Sequence, residues 1–508
     1  MQRATATAND RVVNDLKAQL GNEVYVSRGP LTRDSLYIQV LHLQSKAERY
    51  AWILENINQL PGSGIIYCLT QRDCDFLTDF LQKNGIAAMA YYSRNGEQEK
   101  RNRIAEDAFN KNEIKAIVAT IKLGMGYDKG DIAFIIHFQM PANIVSYYQQ
   151  IGRAGRNIER AYTFLMSGRE DEEILNYFIK TAFPTEEEVS SIINLLKFSG
   201  HTKSQLEDAM NIRRARLEKA LTFLVKDGFA YKDKAIYYLS TKPFTYAREH
   251  YQAIIDIRKQ EMEQMKALVN THECYSKFTV NCLEDESAMD CGHCANCLGG
   301  GQYPGKASFA GEQVASEYIN GLVLTIEPRK LWAYSYATAA KKIEFINQAG
   351  MALSKYGEAG YGELVKQDKY APQHRFRDEL VGRSAELLRP LIRENKITHI
   401  TCVPSLRSKL VEDFSSRLAA SLGIPFVVLL EKKTAQQQKS MENSSHQCAN
   451  AYTSFSIIEG ADIPGKVLLV DDVVDSRWTM TVCGYRLMEN GCKEVYPYAL
   501  ADSSQKED

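Results

Sequence analysis

Short apolar runs alternate with amphipathic stretches across residues 10–180. SGIIYCL (63–69) reads as a buried strand, and a helical segment follows from Arg72 to Asn84, with Phe76, Leu77, Phe80 and Leu81 as its apolar positions. AAMAYY (87–92), IKAIVAT (114–120) and IAFIIHF (132–138) predict three more strands, with a charged helix running to about Asn110 between the first two. Strands alternating with helices imply a parallel, doubly wound α/β sheet. After FPTEEE the pattern changes to helices near 185–198, 203–210 and 212–227, then GFAYKDKAIYYLST, which predicts a two-stranded wing. Leu217, Ala220, Leu221 and Leu224 form the apolar stripe of the third of these helices. A charged helical stretch at 246–270 leads into a cysteine cluster. LGGGQYPGKASFAG (298–311) reads as linker, and a final α/β unit occupies 380–508.

Composition narrows the classes. A chain of 508 residues exceeds one core and implies several domains. With 62 basic and 63 acidic residues there is no global pull toward nucleic acid or anionic lipid, so such contacts must come from local patches. No apolar run approaches the roughly 18–20 residues that span a bilayer, and MQRATATAND carries no apolar signal region. A membrane partner is therefore not expected. Eleven cysteines are too sparse for a disulfide framework, and three of them fall within seven residues, which points to metal in a reducing, cytoplasmic compartment.

Cys291, Cys294 and Cys297 stand at two-residue gaps, with Cys274 upstream. Such gaps let successive thiolates turn onto one tetrahedral ion, and four thiolates close the shell, as structural Zn²⁺ requires. Cys282, His272 and His293 are read as bystanders. Between 201 and 245 there are nine Lys/Arg and five Asp/Glu; Arg213, Arg214, Arg216 and Lys219 lie mostly off the apolar stripe, where they can meet phosphates. A charged helix face is also commonly just solvated.

VATIKLGMGYDKGDIAFIIHFQMPANIVSYYQQIGRAGR resembles motifs V and VI of the RecQ family of ATP-dependent DNA helicases. ATATAND resembles motif III of that family, and SGIIYCLTQRDCDFLTDFL its motif IV. The resemblance implies the second of two RecA-like motor lobes over 1–183, with Arg153 and Arg156 as the arginines that serve a nucleotide's phosphates, Arg156 being the finger. Gly126 and Asp128 would lie on the ATP side, and Thr5 and Thr7 in the coupling motif. Arginines suit that role because charge accumulates on the γ-phosphoryl group during transfer.

The first lobe of such a motor carries the P-loop and the Asp-Glu-x-His box. GGQYPGKA (Gly300–Ala307) fits G-x-x-x-x-G-K, but Ala307 has no hydroxyl for Mg²⁺ and no strand precedes it. The expectation is a chain that needs a separate first lobe to hold ATP and Mg²⁺ and is not autonomous. Residues 184–245 resemble a winged-helix domain, a fold used for both DNA and protein contacts, and 246–299 resemble the RecQ zinc-binding module. Residues 300–379 are then linker and connecting region. DNA, single-stranded or forked, is the implied partner, and 3′-to-5′ unwinding the implied activity, in repair or recombination.

GKVLLVDDVVDSRWTMTVCGYRLMENG is an apolar strand, two acids, a tight loop and a helix; it resembles the phosphoribosyl-pyrophosphate loop of type I phosphoribosyltransferases. Asp471 and Asp472 would hold ribose hydroxyls or Mg²⁺, and Asp475, Ser476, Arg477 and Thr479 the 5′-phosphate. ITHITCVPSLRSKL (397–410) looks like the pyrophosphate-loop strand and helix of that fold, and NSSHQCANAYTSF (443–455) like the mobile segment of its ComF-like branch. Arg477 departs from the glycine usual in such loops. A Walker-B-like box or a relic fold without activity remains open for this unit. For the whole chain, a non-catalytic DNA-binding subunit and a phosphoribosyltransferase of nucleotide metabolism are the rival classes.

Overall fold

The computed structural model describes residues 29, 31–93, 96–124, 127–285, 288–333, 342–358, 360–434 and 443–504. The first region runs β1 (Leu36–His42), α1 (Lys46–Asn56), β2 (Ser63–Tyr67), α2 (Gln71–Lys83), β3 (Ala88–Tyr91), α3 (Glu97–Asn110), β4 (Ala116–Ala119), β5 (Ile132–His137), α4 (Ile144–Ile151), β6 (Ala161–Ser167) and α5 (Arg169–Lys180). Its six strands are all parallel, in the order β1-β6-β5-β2-β4-β3. β2, β4 and β5 are buried along their whole length, which is why the sequence shows them as unbroken apolar runs rather than alternating ones. Ser45, Thr70 and Asn143 cap α1, α2 and α4 by accepting from backbone N–H groups of the first turn.

Next come α6 (Glu186–Leu196), β7 (His201–Thr202), α7 (Lys203–Ala209), α8 (Arg214–Lys226), β8 (Ala230–Asp233) and β9 (Ile236–Leu239). The strands form an antiparallel sheet, β7-β9-β8, beside the helices. The predicted stripe of α8 is what the core takes: Leu217, Ala220, Leu221 and Leu224 pack with Val189, Ile192 and Leu206.

α9 (Arg248–Asn270) and α10 (Tyr275–Asn281) return to the first region. Met262, Met265 and Leu268 enter the same apolar cluster as Leu36, Ile38, Tyr147 and Ile151. α11 (Phe309–Gly321) follows. The stretch read as free linker is in fact fastened down. Gln39 Nε2 donates to Tyr303 O (2.9 Å), Trp52 Nε1 to Pro304 O (2.6 Å) and the Tyr318 hydroxyl to Asp79 (2.6 Å). Glycine and proline give it a linker's composition, while its aromatic side chains and carbonyls give it somewhere to bind. GGQYPGKA does not form a strand–loop–helix unit.

The last region contains β10 (Leu324–Ile326), β11 (Gly350–Lys355), α12 (Tyr361–Lys369), α13 (Asp378–Asn395), β12 (His399–Cys402), α14 (Leu410–Leu422), β13 (Leu430–Lys432), α15 (Ser444–Ser454), β14 (Phe455–Ile457), β15 (Lys466–Val474), α16 (Trp478–Glu489) and β16 (Glu494–Asp502). Its main sheet has the order β10-β11-β16-β15-β12, parallel except for β10. β10 and β11 thus carry this α/β unit well upstream of 380, because parallel β16 offers β11 an edge.

Two compact units result. One runs to Ala182 and takes in Arg248–Tyr318; the other joins Phe183–Ala247 to the chain from Ile319 onward. No described helix is long and apolar enough to cross a membrane.

Candidate nucleotide, metal and phosphate sites

The turn after α4 is built for close backbone approach. Gly155 N donates to Ile132 O (3.1 Å) and Asn157 N to Gly130 O (2.9 Å), zipping the turn against the loop that enters β5. Gly155 has φ +68°, and a Cβ there would meet Ser35 Oγ at 2.6 Å, so glycine is required twice over. Arg33 staples the turn from outside, donating to Gly152 O (2.5 Å) and Gly155 O (3.3 Å). Burial, and then the neighbouring Arg156, hold the Arg33 guanidinium below its usual pKa. Nothing local in the sequence marked Arg33, since its partners lie more than a hundred residues away.

Arg153 donates to Tyr127 O (3.1 Å), and among the described residues its buried Nε has no acceptor. Arg156 pairs with Asp128 Oδ1 at 2.5 Å. With side chains 40% and 73% exposed, that pair contributes about 0–1 kcal/mol and is readily exchanged for another anion. The structure therefore brings Arg153, Arg156 and Asp128 together on one rim. Thr5, Thr7 and Gly126 lie outside the described residues.

The four expected cysteines converge. The Sγ atoms of Cys274, Cys291, Cys294 and Cys297 all lie within 4.8 Å of one another, with Cys291–Cys297 and Cys274–Cys294 each at 3.9 Å. A tetrahedral ion with about 2.3 Å Zn–S bonds separates its sulfurs by just under 4 Å. Backbone N–H groups already point at the sulfurs: Cys291 N at Cys274 (3.2 Å), Cys294 N at Cys291 (3.3 Å) and Lys277 N at Cys274 (3.5 Å). A hydrogen bond from Cys291 pulls the Cys294 thiol down to about 4, while Cys291 is pushed up by the same contact. The donor set fits a zinc ion. Cys282, His272 and His293 are not in the cluster.

On the charged face of α8 the four expected basic residues differ. Arg216 is tied into the fold by a double contact with Glu188, at 2.5 and 2.6 Å. Arg214 reaches Glu218 at 3.5 Å, and Glu218 also holds Lys203. Arg213 and Lys219 are exposed.

In the last region the two acids lie within β15, which continues through Val474 rather than stopping at them. Asp472 is paired with Lys369 Nζ of α12 at 2.9 Å, and Asp471 Oδ1 accepts from Asp472 N (2.9 Å). Burial and the adjacent Asp472 carboxylate push Asp471 up to about 8. Asp475 is exposed, and Ser476 O accepts from Arg329 Nε at 2.8 Å. Arg477 caps α16 in the left-handed conformation, φ +67°, the backbone reason such a loop favours glycine. Its guanidinium turns to Glu327 O (3.1 Å). Thr479 occupies the first turn of α16. Lys369 and Arg329 escaped sequence reasoning because neither lies near the motif.

Residues 48–158, from α1 through the arginine turn, match the helicase conserved C-terminal domain family. The chain is 37% identical over 177 residues to the RecQ-like DNA helicase BLM of Xenopus laevis, covering 34% of this chain and 13% of that protein. It is 39% identical over 171 residues to the ATP-dependent DNA helicase Q1 of Rattus norvegicus, covering 32% of this chain and 27% of that protein. Among solved structures, S. cerevisiae Dbp5 bound to RNA and ADP BeF3 overlaps at TM-score 0.30 and 20% identity, over 35% of this chain and 47% of that one. Residues 48–158 are therefore similar to the helicase C-terminal domains of RecQ-like and Q1-type DNA helicases, and the matches span 27% or less of the length of these two curated relatives.

Proposed function

We propose that this chain supplies the second motor lobe and accessory domains of a RecQ-like ATP-dependent DNA helicase that unwinds single-strand-tailed and forked duplexes from 3′ to 5′. The observation that carries this reading is the Gly152–Arg156 turn within the segment that matches a helicase C-terminal domain: two guanidiniums, one weakly paired and one with an unmet donor. Such groups lower the barrier to phosphoryl transfer by neutralising charge on the γ-phosphate of a nucleotide held opposite them. ATP and Mg²⁺ sit on a first motor lobe that carries the P-loop; Arg156 is the finger and Arg153 its partner. Residues 184–245 act as a winged helix that meets DNA phosphates through Arg213, Arg214 and Lys219, with Arg216 bracing the fold. The four cysteines hold one structural zinc, which supplies folding energy and no chemistry. The loop from Asp471 to Thr479 takes a ribose 5-phosphate-like ligand such as phosphoribosyl pyrophosphate.

The test is reconstitution. ATP turnover and forked-duplex unwinding are measured for the 508-residue chain alone and with a first lobe bearing the P-loop and Asp-Glu-x-His box. We expect turnover, stimulated by DNA, only with that lobe. Robust hydrolysis by the chain alone, or none with the lobe, overturns the reading.

A further inference from the structure

The first turn of α15 touches two parts of the second unit at once. Asn443 is buried, and its Oδ1 accepts from His446 N (2.8 Å), capping α15. The same side chain's Nδ2 donates to Glu207 O (2.6 Å) near the end of α7 and to Met210 O just beyond it. One asparagine therefore caps the start of one helix and the end of another. His446 Nε2 lies 3.0 Å from Asp208 O, and Ser445 Oγ donates to Asp208 Oδ1 at 2.6 Å. Ser444, between them, accepts from Trp478 Nε1 at 2.8 Å. Trp478 is the residue directly after Arg477, and it packs with Cys448 and Ala451 of α15. Contacts thus run unbroken from the Asp471–Thr479 loop, through Trp478 and the α15 turn, to the end of α7, where the chain turns into α8.

We propose that this turn is a relay: occupancy of the Asp471–Thr479 loop by a phosphorylated ribose changes how tightly α8 holds nucleic acid. The inference rests on the reading of those two sites given above. A shift of α16 on closing around a phosphate moves Trp478 and hence Ser444, whose neighbours Asn443 and His446 hold the end of α7. Coupling of this kind is reciprocal, so DNA shifts ligand affinity by the same factor.

The experiment uses the full chain, with Mg²⁺ and phosphoribosyl pyrophosphate as probe ligand and fluorescent single-stranded DNA as partner. Calorimetry first establishes ligand binding, and anisotropy then gives DNA affinity with and without saturating ligand. We expect a change of roughly fivefold or more, with both affinities retained but the change abolished in Asn443→Ala. Ligand that binds without altering DNA affinity overturns the relay and leaves the site reading intact. Ligand that fails to bind at millimolar concentration overturns both. A second variant is independent of ligand: Ser444→Ala removes only the hydroxyl under Trp478. It should speed amide exchange across α7 and the start of α8 severalfold, and unchanged exchange there overturns the mechanical link.

Discussion

The arginine turn of the first unit and the acidic segment of the second are both proposed to meet phosphate, yet they treat charge in opposite ways. At the turn, Arg33 takes backbone carbonyls, Arg153 and Arg156 each reach a further carbonyl, and the one carboxylate they meet is the exposed Asp128. At the loop, Lys369 already neutralises Asp472, Asp471 is pushed up to about 8, and Arg477 is turned onto a backbone carbonyl. The first arrangement is open to an anion brought from elsewhere. The second is satisfied internally, so a ligand there would have to displace existing partners. In the reading proposed above, unmet charge marks the part of a composite site, and internally met charge the self-contained one.

The largest effect should come from the metal cluster, which shares its core with Tyr147 and Ile151 of the helix leading into the turn. One zinc per chain is expected, and Cys291→Ser should abolish it. Structural zinc contributes about 10 kcal/mol or more to folding, so denaturation followed by metal analysis should show the first unit collapsing while the second persists. Cys282→Ser should retain the metal; its loss would show that the ligand set is wrong.

Next is Arg156→Ala in the reconstituted motor. Removing a finger costs about a thousandfold or more in turnover, whereas an arginine that only pairs with Asp128 would cost almost nothing. A drop under about tenfold would remove the contrast drawn above.

The loop should respond to pH where the turn does not. A carboxyl raised from about 4 to about 8 binds its proton more tightly in the folded state, so it favours folding at low pH. That contribution is lost as pH rises through 8. Ligand binding that needs ionised Asp471 runs the other way, weakening about tenfold per pH unit below 8 and levelling above it. Calorimetry of Mg²⁺–phosphoribosyl pyrophosphate across that range should show the slope, and Asp471→Asn should flatten it. A flat profile in the unaltered chain would mean Asp471 is not a ligand.

The smallest effect is at Arg477. A non-glycine residue at φ +67° costs about 1–2 kcal/mol, and its exposed bond to Glu327 O returns part of that. Arg477→Gly should therefore stabilise the second unit by about 1 kcal/mol in urea titration. Destabilisation would show that the guanidinium, rather than the backbone, governs this position.

Much of this protein was written locally. β2, β4 and β5 could be read as apolar runs, α8 by its stripe, and the metal cluster by its two-residue gaps, because each depends on neighbours a few positions away. Gly152, Arg153, Gly155 and Arg156 were legible as a motif for the same reason. Tertiary structure alone decided the rest. Arg33, Lys369 and Arg329 are unremarkable in sequence, Asn443 opens a motif that says nothing of α7, and each acts on a segment brought near only by folding. Residues 298–311 read as linker because six of the fourteen are glycine or proline, yet Trp52 and Gln39 bind them down. The grouping of units was hidden as well: the sequence places α6–β9 directly after the first region, whereas compact packing joins them to the last region. Sequence carries the periodicities and short spacings that set local conformation; which distant group meets an unsatisfied carbonyl or carboxylate is settled only when the sheets and helices close around it.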